Sequence, residues 1–176
     1  MNRLLYFIKK NTLNRHQFPG FLRSQGMNIG EDCDIYKNVD FGSEPYLIEI
    51  GNHVRINAGV CFVTHDGGLW VLRDERSGYG KEFADADCFG KIVVCDNVHI
   101  GSNAIIMPGV TIGENSIIAC GAVVTHNVEA NSIVGGVPAR AIETLQEYAE
   151  KMRQKCVNTH SMSEEEKKQF LNGHIH

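Results

Sequence analysis

A six-residue repeat constrains the fold of this chain more than any other feature of its sequence. Cut into sixes from Val94, the chain reads "VCDNVH", "IGSNAI", "IMPGVT", "IGENSI", "IACGAV" and "VTHNVE", so an aliphatic residue opens every hexad. The fifth places are small or β-branched as well: Val98, Ala104, Val110, Ser116, Ala122 and Val128. A helix repeats every 3.6 residues and an amphipathic strand every two, so neither produces this pattern. Two inward places in six predict short strands that form the flat faces of a prism.

The glycines and asparagines of the hexads fit the corners of such a prism. Three hexads make one triangular coil, and Gly or Asn allows the tight turn between two faces. We therefore interpret the following residues as corners and not as phosphate-binding groups: Gly101, Gly109, Gly113, Gly121, Asn97, Asn103 and Asn115. The same phase recurs in "IGEDCD" and "IYKNVD" from Ile29, and in "IGNHVR", "INAGVC" and "FVTHDG" from Ile50.

The repeat is interrupted twice. The spacing from Phe41 to Ile50 is nine residues, which predicts a small corner insertion at "GSEPY". From Phe62 to Val94 it is 32 residues, which is no multiple of six, so a long loop must leave the prism there. This loop contains Trp70, the only tryptophan. Long loops in compact domains are usually functional or disordered.

These patterns divide the chain into three parts. We expect an N-terminal helical or irregular segment at residues 1–26, a β-helix domain at 27–141 with a protruding loop at 68–91, and a C-terminal helix and tail at 142–176. Pro138 interrupts the last strand, and helical spacing follows it at Ile142, Leu145, Ala149 and Met152. Ser163 can cap a second short helix.

Composition excludes several classes of protein. A formal charge of -4 and a pI near 6.0, without a basic stripe, argue against nucleic acid. The apolar run at residues 4–8 is too short for a signal peptide or a membrane span, which predicts a cytoplasmic protein. An amphipathic helix packed on its own domain and reversible attachment to a membrane surface both remain open for this segment. Six cysteines without CxxC spacing predict reduced, mostly buried thiols and no structural zinc.

The hexads, the loop that follows a histidine and the ending "VGGVPAR" together resemble the hexapeptide-repeat acyltransferases over about residues 29–142. The block from "IGSNAI" to "VPARAI" is similar to the maltose and galactoside O-acetyltransferases and related polysaccharide O-acetyltransferases. This resemblance implies an all-β fold, a left-handed parallel β-helix with a protruding loop and a C-terminal α-helix. It also implies a homotrimer with active sites between neighbouring prisms and acetyl-CoA as the donor. The expected activity is O-acetylation of a sugar or a surface-polysaccharide precursor.

The resemblance assigns the chemistry to His65. Transfer of acetyl from a thioester to a hydroxyl needs a base, and imidazole can accept a proton near neutral pH. The family's catalytic histidine ends a coil in a T-H or G-H context, which "VTHDG" matches. The alternative is a histidine that only ends a coil and bonds a backbone carbonyl. Asp66 could orient the ring, but adjacent strand residues point to opposite faces.

Other site residues follow from the same alignment. Asn38 in "YKNV" matches an asparagine that contacts the sugar, and Glu44 in the insertion falls where an acidic acceptor contact is common. The alternative for Asn38 is an asparagine that only forms a corner, and the match of Glu44 is loose because the local length differs from the family's. The residues that match donor contacts are Ser102, Cys120, Thr125, His126 and Arg140. Ser102 and Cys120 would act through backbone N–H groups, and Arg140 would pair with a phosphate or remain solvated.

Two departures from the family pattern carry predictions. "VTHNV" stands where "VTKDV" is common, so His126 predicts a weaker or pH-sensitive grip on coenzyme A. The N-terminal segment is shorter than the helical cap of the maltose and galactoside enzymes, which favours a glycan or lipid-linked sugar as acceptor. A sugar-nucleotide N-acetyltransferase, a serine or antibiotic acetyltransferase and an inactive scaffold are the alternatives. No metal is expected, because no histidine pair flanks His65 as in zinc-binding prisms.

Overall fold

A computed structural model describes residues 12–174 and contains three sheets, one for each face of a prism. Their strands pair in parallel, except for the antiparallel last strand of one sheet. The strands are β1 (Asn28–Ile29), β2 (Asp34–Ile35), β3 (Ile48–Ile50), β4 (Arg55–Ile56), β5 (Cys61–Phe62), β6 (Ile92–Val94), β7 (His99–Ile100), β8 (Ile105–Ile106), β9 (Thr111–Ile112), β10 (Ile117–Ile118), β11 (Val123–Val124), β12 (Ser132–Gly135) and β13 (Arg140–Thr144). Sheet A has the order β1-β3-β6-β9, sheet B β13-β12-β10-β7-β4-β2 and sheet C β11-β8-β5. Consecutive strands β7, β8 and β9 lie in sheets B, C and A, so three hexads complete one coil, as predicted.

The first and fifth places of the hexads fill the interior. Ile100, Ile106 and Ile112 are completely buried, and so are the fifth-place residues Ala104 and Ala122. In-register pairing of the strands stacks equivalent places of successive coils on each other. Burial of each isoleucine contributes about 2 kcal/mol of hydrophobic stabilisation. The predicted inward pattern is confirmed.

The corners contain two kinds of glycine, and only one kind was interpreted correctly. At the fourth place of a hexad, Gly109 has φ 81° and Asn103 has φ 59°, so these residues make the left-handed turns that the sequence predicts. Gly101 and Gly113 stand at the second place and do not turn the chain. A Cβ at Gly101 would lie 2.6 Å from the backbone nitrogen of Cys120 in the next coil. Second-place glycine therefore permits close stacking of coils.

Both predicted interruptions are present. The insertion after Phe41 contains a 3-10 turn at Pro45–Leu47. The long loop, here called the arm (residues 67–89), includes helix α2 (Leu69–Leu72), a 3-10 turn (Glu75–Ser77) and helix α3 (Gly80–Phe83). Helix α1 (Phe18–Ser24) precedes the prism and contributes Phe18, Phe21 and Leu22 to the core.

The chain beyond Pro138 differs from the prediction. Ile142 lies in strand β13, which pairs antiparallel with β12, and the helix starts later, as α4 (Leu145–Arg153). The described residues from Gln146 onward form a separate compact unit that also contains α5 (Glu164–His174). Ser163 caps α5, because its hydroxyl and the Glu166 carboxylate each accept the other residue's backbone N–H, at 3.3 and 2.8 Å. Within the described residues no helix is long and apolar enough to cross a membrane.

The cysteines are free but less buried than expected. Only Cys33 is buried, whereas Cys88, Cys120 and Cys156 are exposed. The prediction of mostly buried thiols is wrong because Cys88 belongs to the arm and Cys120 to a corner, where side chains point outward. Over residues 12–174 no group of three His, Cys, Asp or Glu side chains could hold a metal ion.

Candidate active site

One edge of the prism brings together two segments that are distant in sequence. The insertion at residues 42–47 and the coil end at residues 63–66 both leave sheet C, the first to reach sheet A and the second to enter the arm. As a result His65 Nδ1 lies 3.1 Å from Glu44 Oε2. The Glu44 side chain is 15% exposed and that of His65 is 44% exposed. A carboxylate that is largely buried from solvent therefore faces an imidazole that solvent can reach.

A buried threonine holds the same carboxylate. Thr64 is 1% exposed, and its hydroxyl donates to Glu44 Oε2 at 2.6 Å. This hydrogen bond, and after it the one with His65, holds the pKa of the Glu44 carboxyl below its usual value, although desolvation acts in the opposite direction. Glu44 is therefore an anion at neutral pH.

An anion beside Nδ1 determines how His65 can react. The carboxylate favours the tautomer with the proton on Nδ1, which leaves the Nε2 lone pair free to accept a proton. Among the described residues no group hydrogen-bonds Nε2. The negative charge also stabilises the imidazolium that forms on protonation. The pair thus has the geometry of a general base and its orienting group.

Asp66 does not orient the ring. Its carboxylate accepts the backbone N–H of Gly68 at 2.8 Å, at the point where the arm begins. The other end of the arm returns beside the site, since Gly90 N–H donates to the Thr64 carbonyl and Asp66 N–H to the Cys88 carbonyl, both at 2.9 Å. Phe89 pairs with His65 across this ribbon, and the two ring centroids are 6.2 Å apart.

The predicted acceptor residues have different surroundings. Asn38 is exposed and lines a cavity of about 650 Å³ with Ser43 and Tyr46. Ser43 and Pro45 flank Glu44 in sequence and line this cavity. The cavity therefore borders the insertion whose Glu44 contacts His65. Glu44 itself is turned toward Thr64 and His65.

The predicted donor residues lie on two different edges. Ser102 and Cys120 stack at corners between sheets B and C, where Gly121 N–H donates to the Ser102 carbonyl at 2.8 Å. Thr125 and His126 follow β11 and lie on the edge that carries His65; Thr125 Oγ1 is 2.9 Å from His126 Nδ1. His126 and Arg140 line one cavity of about 210 Å³.

Sheet C separates these two edges, so one chain does not bring all five donor residues together. The outer face of sheet C carries an apolar row of half-buried register partners: Cys61, Ile105 and Val123. An apolar row of this kind on a flat face is suited to contact with another protein surface.

Two residues beside His65 were not among the sequence-predicted site residues. Thr64 precedes His65 in the "VTH" motif, but the sequence does not show that its hydroxyl turns inward to Glu44. Phe89 lies 24 residues after His65, and only closure of the arm brings it back. The sequence did indicate that the loop after His65 has to return to the prism, and this return was the available signal for a contact between Phe89 and His65.

Known proteins are similar to this chain in sequence and fold. Residues 91–126 match the family described as bacterial transferase hexapeptide (six repeats). Protein CapG of Staphylococcus aureus is 42% identical over 174 residues, which cover 97% of this chain and 94% of CapG. Stacked six-residue coils define the hexapeptide-repeat class of transferases. The chain belongs to the hexapeptide-repeat acetyltransferase family, which confirms the resemblance found in its sequence. The fold of this family is a left-handed β-helix, so the prism is left-handed.

Two crystal structures are similar in fold. A maltose O-acetyltransferase from Clostridium difficile 630 has a TM-score of 0.57 and 26% identity, with 81% of this chain and 83% of that chain covered. A hexapeptide-repeat acetyltransferase from Vibrio cholerae O1 biovar eltor, complexed with acetyl coenzyme A, has a TM-score of 0.55 and 26% identity, with coverage of 80% and 83%.

Proposed function

We propose that the protein is an acetyl-CoA-dependent O-acetyltransferase that acts on a hydroxyl of a sugar or surface-polysaccharide precursor. The observation that carries this proposal is the contact of the Glu44 carboxylate with His65 Nδ1, while no residue of the range 12–174 hydrogen-bonds Nε2. The Vibrio cholerae complex supports acetyl-CoA as the donor, and the Clostridium difficile enzyme supports a sugar hydroxyl as the acceptor.

In the proposed reaction, His65 Nε2 takes the proton of the acceptor hydroxyl as its oxygen attacks the thioester carbonyl. Glu44 stabilises the imidazolium, which then returns the proton to the departing thiolate of coenzyme A. The acetyl group moves directly from sulfur to oxygen, so no covalent acyl-enzyme is needed. Backbone N–H groups at Ser102 and Cys120 are our candidates for stabilising the developing negative charge on the carbonyl oxygen.

We infer that the active unit is a homotrimer in which each site lies between two prisms. The division of the donor residues between two edges supports this, because an extended donor that contacts Ser102 and Thr125 has to bridge two chains. The apolar row on sheet C lies between those edges and suits burial against a neighbour.

The experiment measures thioester consumption with acetyl-CoA and a panel of acceptors. The panel contains sugars, glycan fragments, an amino-sugar nucleotide, serine and chloramphenicol. His65→Ala should lower turnover at least about 10²-fold, since positioned general bases contribute roughly that much. Binding of coenzyme A and the oligomeric mass by light scattering should not change.

His53→Asn is the matched control. His53 is an exposed histidine with φ 55° at a corner between sheets A and B, where asparagine adopts the same backbone conformation elsewhere in the prism. This variant should keep full activity. Full activity of His65→Ala would refute the mechanism, and turnover with the nucleotide, serine or chloramphenicol alone would refute the sugar-hydroxyl acceptor.

A further inference from the structure

We propose that Thr64 is a positioning residue for catalysis. Its hydroxyl holds the Glu44 carboxylate where this group can hydrogen-bond His65 Nδ1. The inference rests on the proposed function of His65 as the base. It assigns a role to a residue that touches neither the imidazole ring nor the acceptor.

The burial of Thr64 is unusual for its place in the repeat. Thr64 occupies the third place of its hexad, and the third-place residues Asp96, Glu114 and His126 are exposed. Thr64 is 1% exposed because the insertion and the arm cover it. Valine has nearly the same shape as threonine, so packing alone does not require a hydroxyl at this position.

The partner of this hydroxyl is also unusual. Ser116, another buried hydroxyl of the prism, donates to backbone carbonyls and so completes the local main-chain bonding. Thr64 donates instead to a side-chain carboxylate from a different coil, at 2.6 Å. Hydrogen bonds to ionised groups are among the stronger ones in proteins.

The two contacts of Glu44 share one oxygen. Oε2 accepts the Thr64 hydroxyl and faces His65 Nδ1, so the direction of the first hydrogen bond fixes the position of the acceptor for the second. The main chain of Thr64 is held in turn, because its carbonyl accepts the N–H of Gly90 where the arm returns. Without the hydroxyl, the Glu44 side chain can adopt other rotamers, in which its contact with His65 Nδ1 is lost.

The test compares Thr64→Val, which removes the hydroxyl, with Thr64→Ser, which keeps it. Thr64→Val should lower kcat about tenfold, the effect of losing one hydrogen bond to a charged group. KM for acetyl-CoA and for the acceptor should change less than about twofold, because Thr64 is buried away from both. Thr64→Ser should recover most of the loss, and Thr111→Val, the same change on the outer face of sheet A, should leave kcat unchanged.

A double-mutant cycle separates positioning from a general structural role. In the Glu44→Gln background, Thr64→Val should cost less than about twofold, because the carboxylate that it positions is gone. A tenfold loss in both backgrounds would overturn the inference, as would a kcat of Thr64→Val near the wild-type value or a loss in Thr64→Ser as large as in Thr64→Val. If Thr64→Val does not fold, as judged by thermal unfolding, Thr64→Ala replaces it in the cycle.

The result for His65→Ala distinguishes the two proposals. If His65→Ala is inactive while Thr64→Val is fully active, only the role of Thr64 is refuted. If His65→Ala keeps full activity, the proposed base is wrong, whatever the Thr64 variants show.

Discussion

Glu44→Gln should reduce turnover without weakening substrate binding. In the wild type, one carboxylate oxygen lies 2.6 Å from the Thr64 hydroxyl and 3.1 Å from His65 Nδ1. The glutamine amide has one oxygen and one NH₂ group. If the oxygen stays on Thr64, the NH₂ group can donate to Nδ1, which moves the ring proton to Nε2 and removes the base. If the oxygen turns to Nδ1, the tautomer is kept but the charge that stabilises the imidazolium is lost.

Both outcomes lower kcat. The loss of kcat should lie between the loss caused by removing an orienting group and the loss caused by removing the base itself. Loss of a group that orients a catalytic or metal-bound histidine typically costs about 10–100-fold, and loss of the base itself costs roughly 10²–10⁴-fold. We therefore expect kcat of Glu44→Gln to fall about 10²-fold, with both KM values within about threefold of wild type. The assay follows release of the coenzyme A thiol at saturating acetyl-CoA, with the best acceptor of the panel.

Glu49→Gln is the matched control for this change. Glu49 is a partly exposed glutamate in β3 whose carboxylate pairs with Lys91 at 2.7 Å, which lowers its pKa as well. It has no contact with His65, so its loss should leave kcat unchanged. Equal kcat values for Glu44→Gln and Glu49→Gln would contradict this prediction, because the effect would then not depend on the contact with His65.

The remaining predictions concern the stacking of coils and the donor. Gly101→Ala places a Cβ 2.6 Å from the Cys120 nitrogen, so the free energy of unfolding in urea should fall by about 2–3 kcal/mol. In Gly109→Ala the added Cβ meets nothing within 4 Å and adds only backbone strain at φ 81°, so the free energy of unfolding should fall by about 1 kcal/mol. Equal losses for the two variants would contradict the different roles of second-place and fourth-place glycines. His126→Lys should tighten coenzyme A binding about tenfold in calorimetry, because a permanent charge would face the donor groove. Unchanged affinity would remove His126 from the donor site.

The regular part of the fold was predictable because the interior of a narrow prism accepts few residues. Two inward places per hexad specify the strands, and the broken phase after Phe41 and Phe62 locates the insertion and the arm. Strand β13 was missed because its main chain bonds to β12 while most of its side chains are exposed, which leaves no apolar alternation to recognise. Ile142 therefore fitted the helical spacing equally well.

The site was only partly predictable, because its geometry depends on which coils stack. His65 was predicted as the base from its motif and from the loop that follows, and it stays a prediction. Glu44 was selected as an acceptor contact, whereas it lies against His65 in the structure. A nine-residue spacing shows that extra chain is present, but not which of its side chains turns toward the neighbouring coil.

The edges of the prism offer a reason for the position of the candidate site, which lies where the repeat is interrupted. Between sheets A and B the corners are regular, and asparagines of successive coils bond to each other, from Asn97 to Asn115 at 2.8 Å and from Asn115 to Asn131 at 3.1 Å. Such a ladder joins the coils, but its side chains already satisfy one another. Between sheets C and A, the corner at Gly109 is regular, but the insertion and the arm replace two other corners and provide enough chain to shield a carboxylate beside an imidazole. The general base that we propose depends on that shielding for the orientation of its ring, so we expect catalysis at the irregular edge.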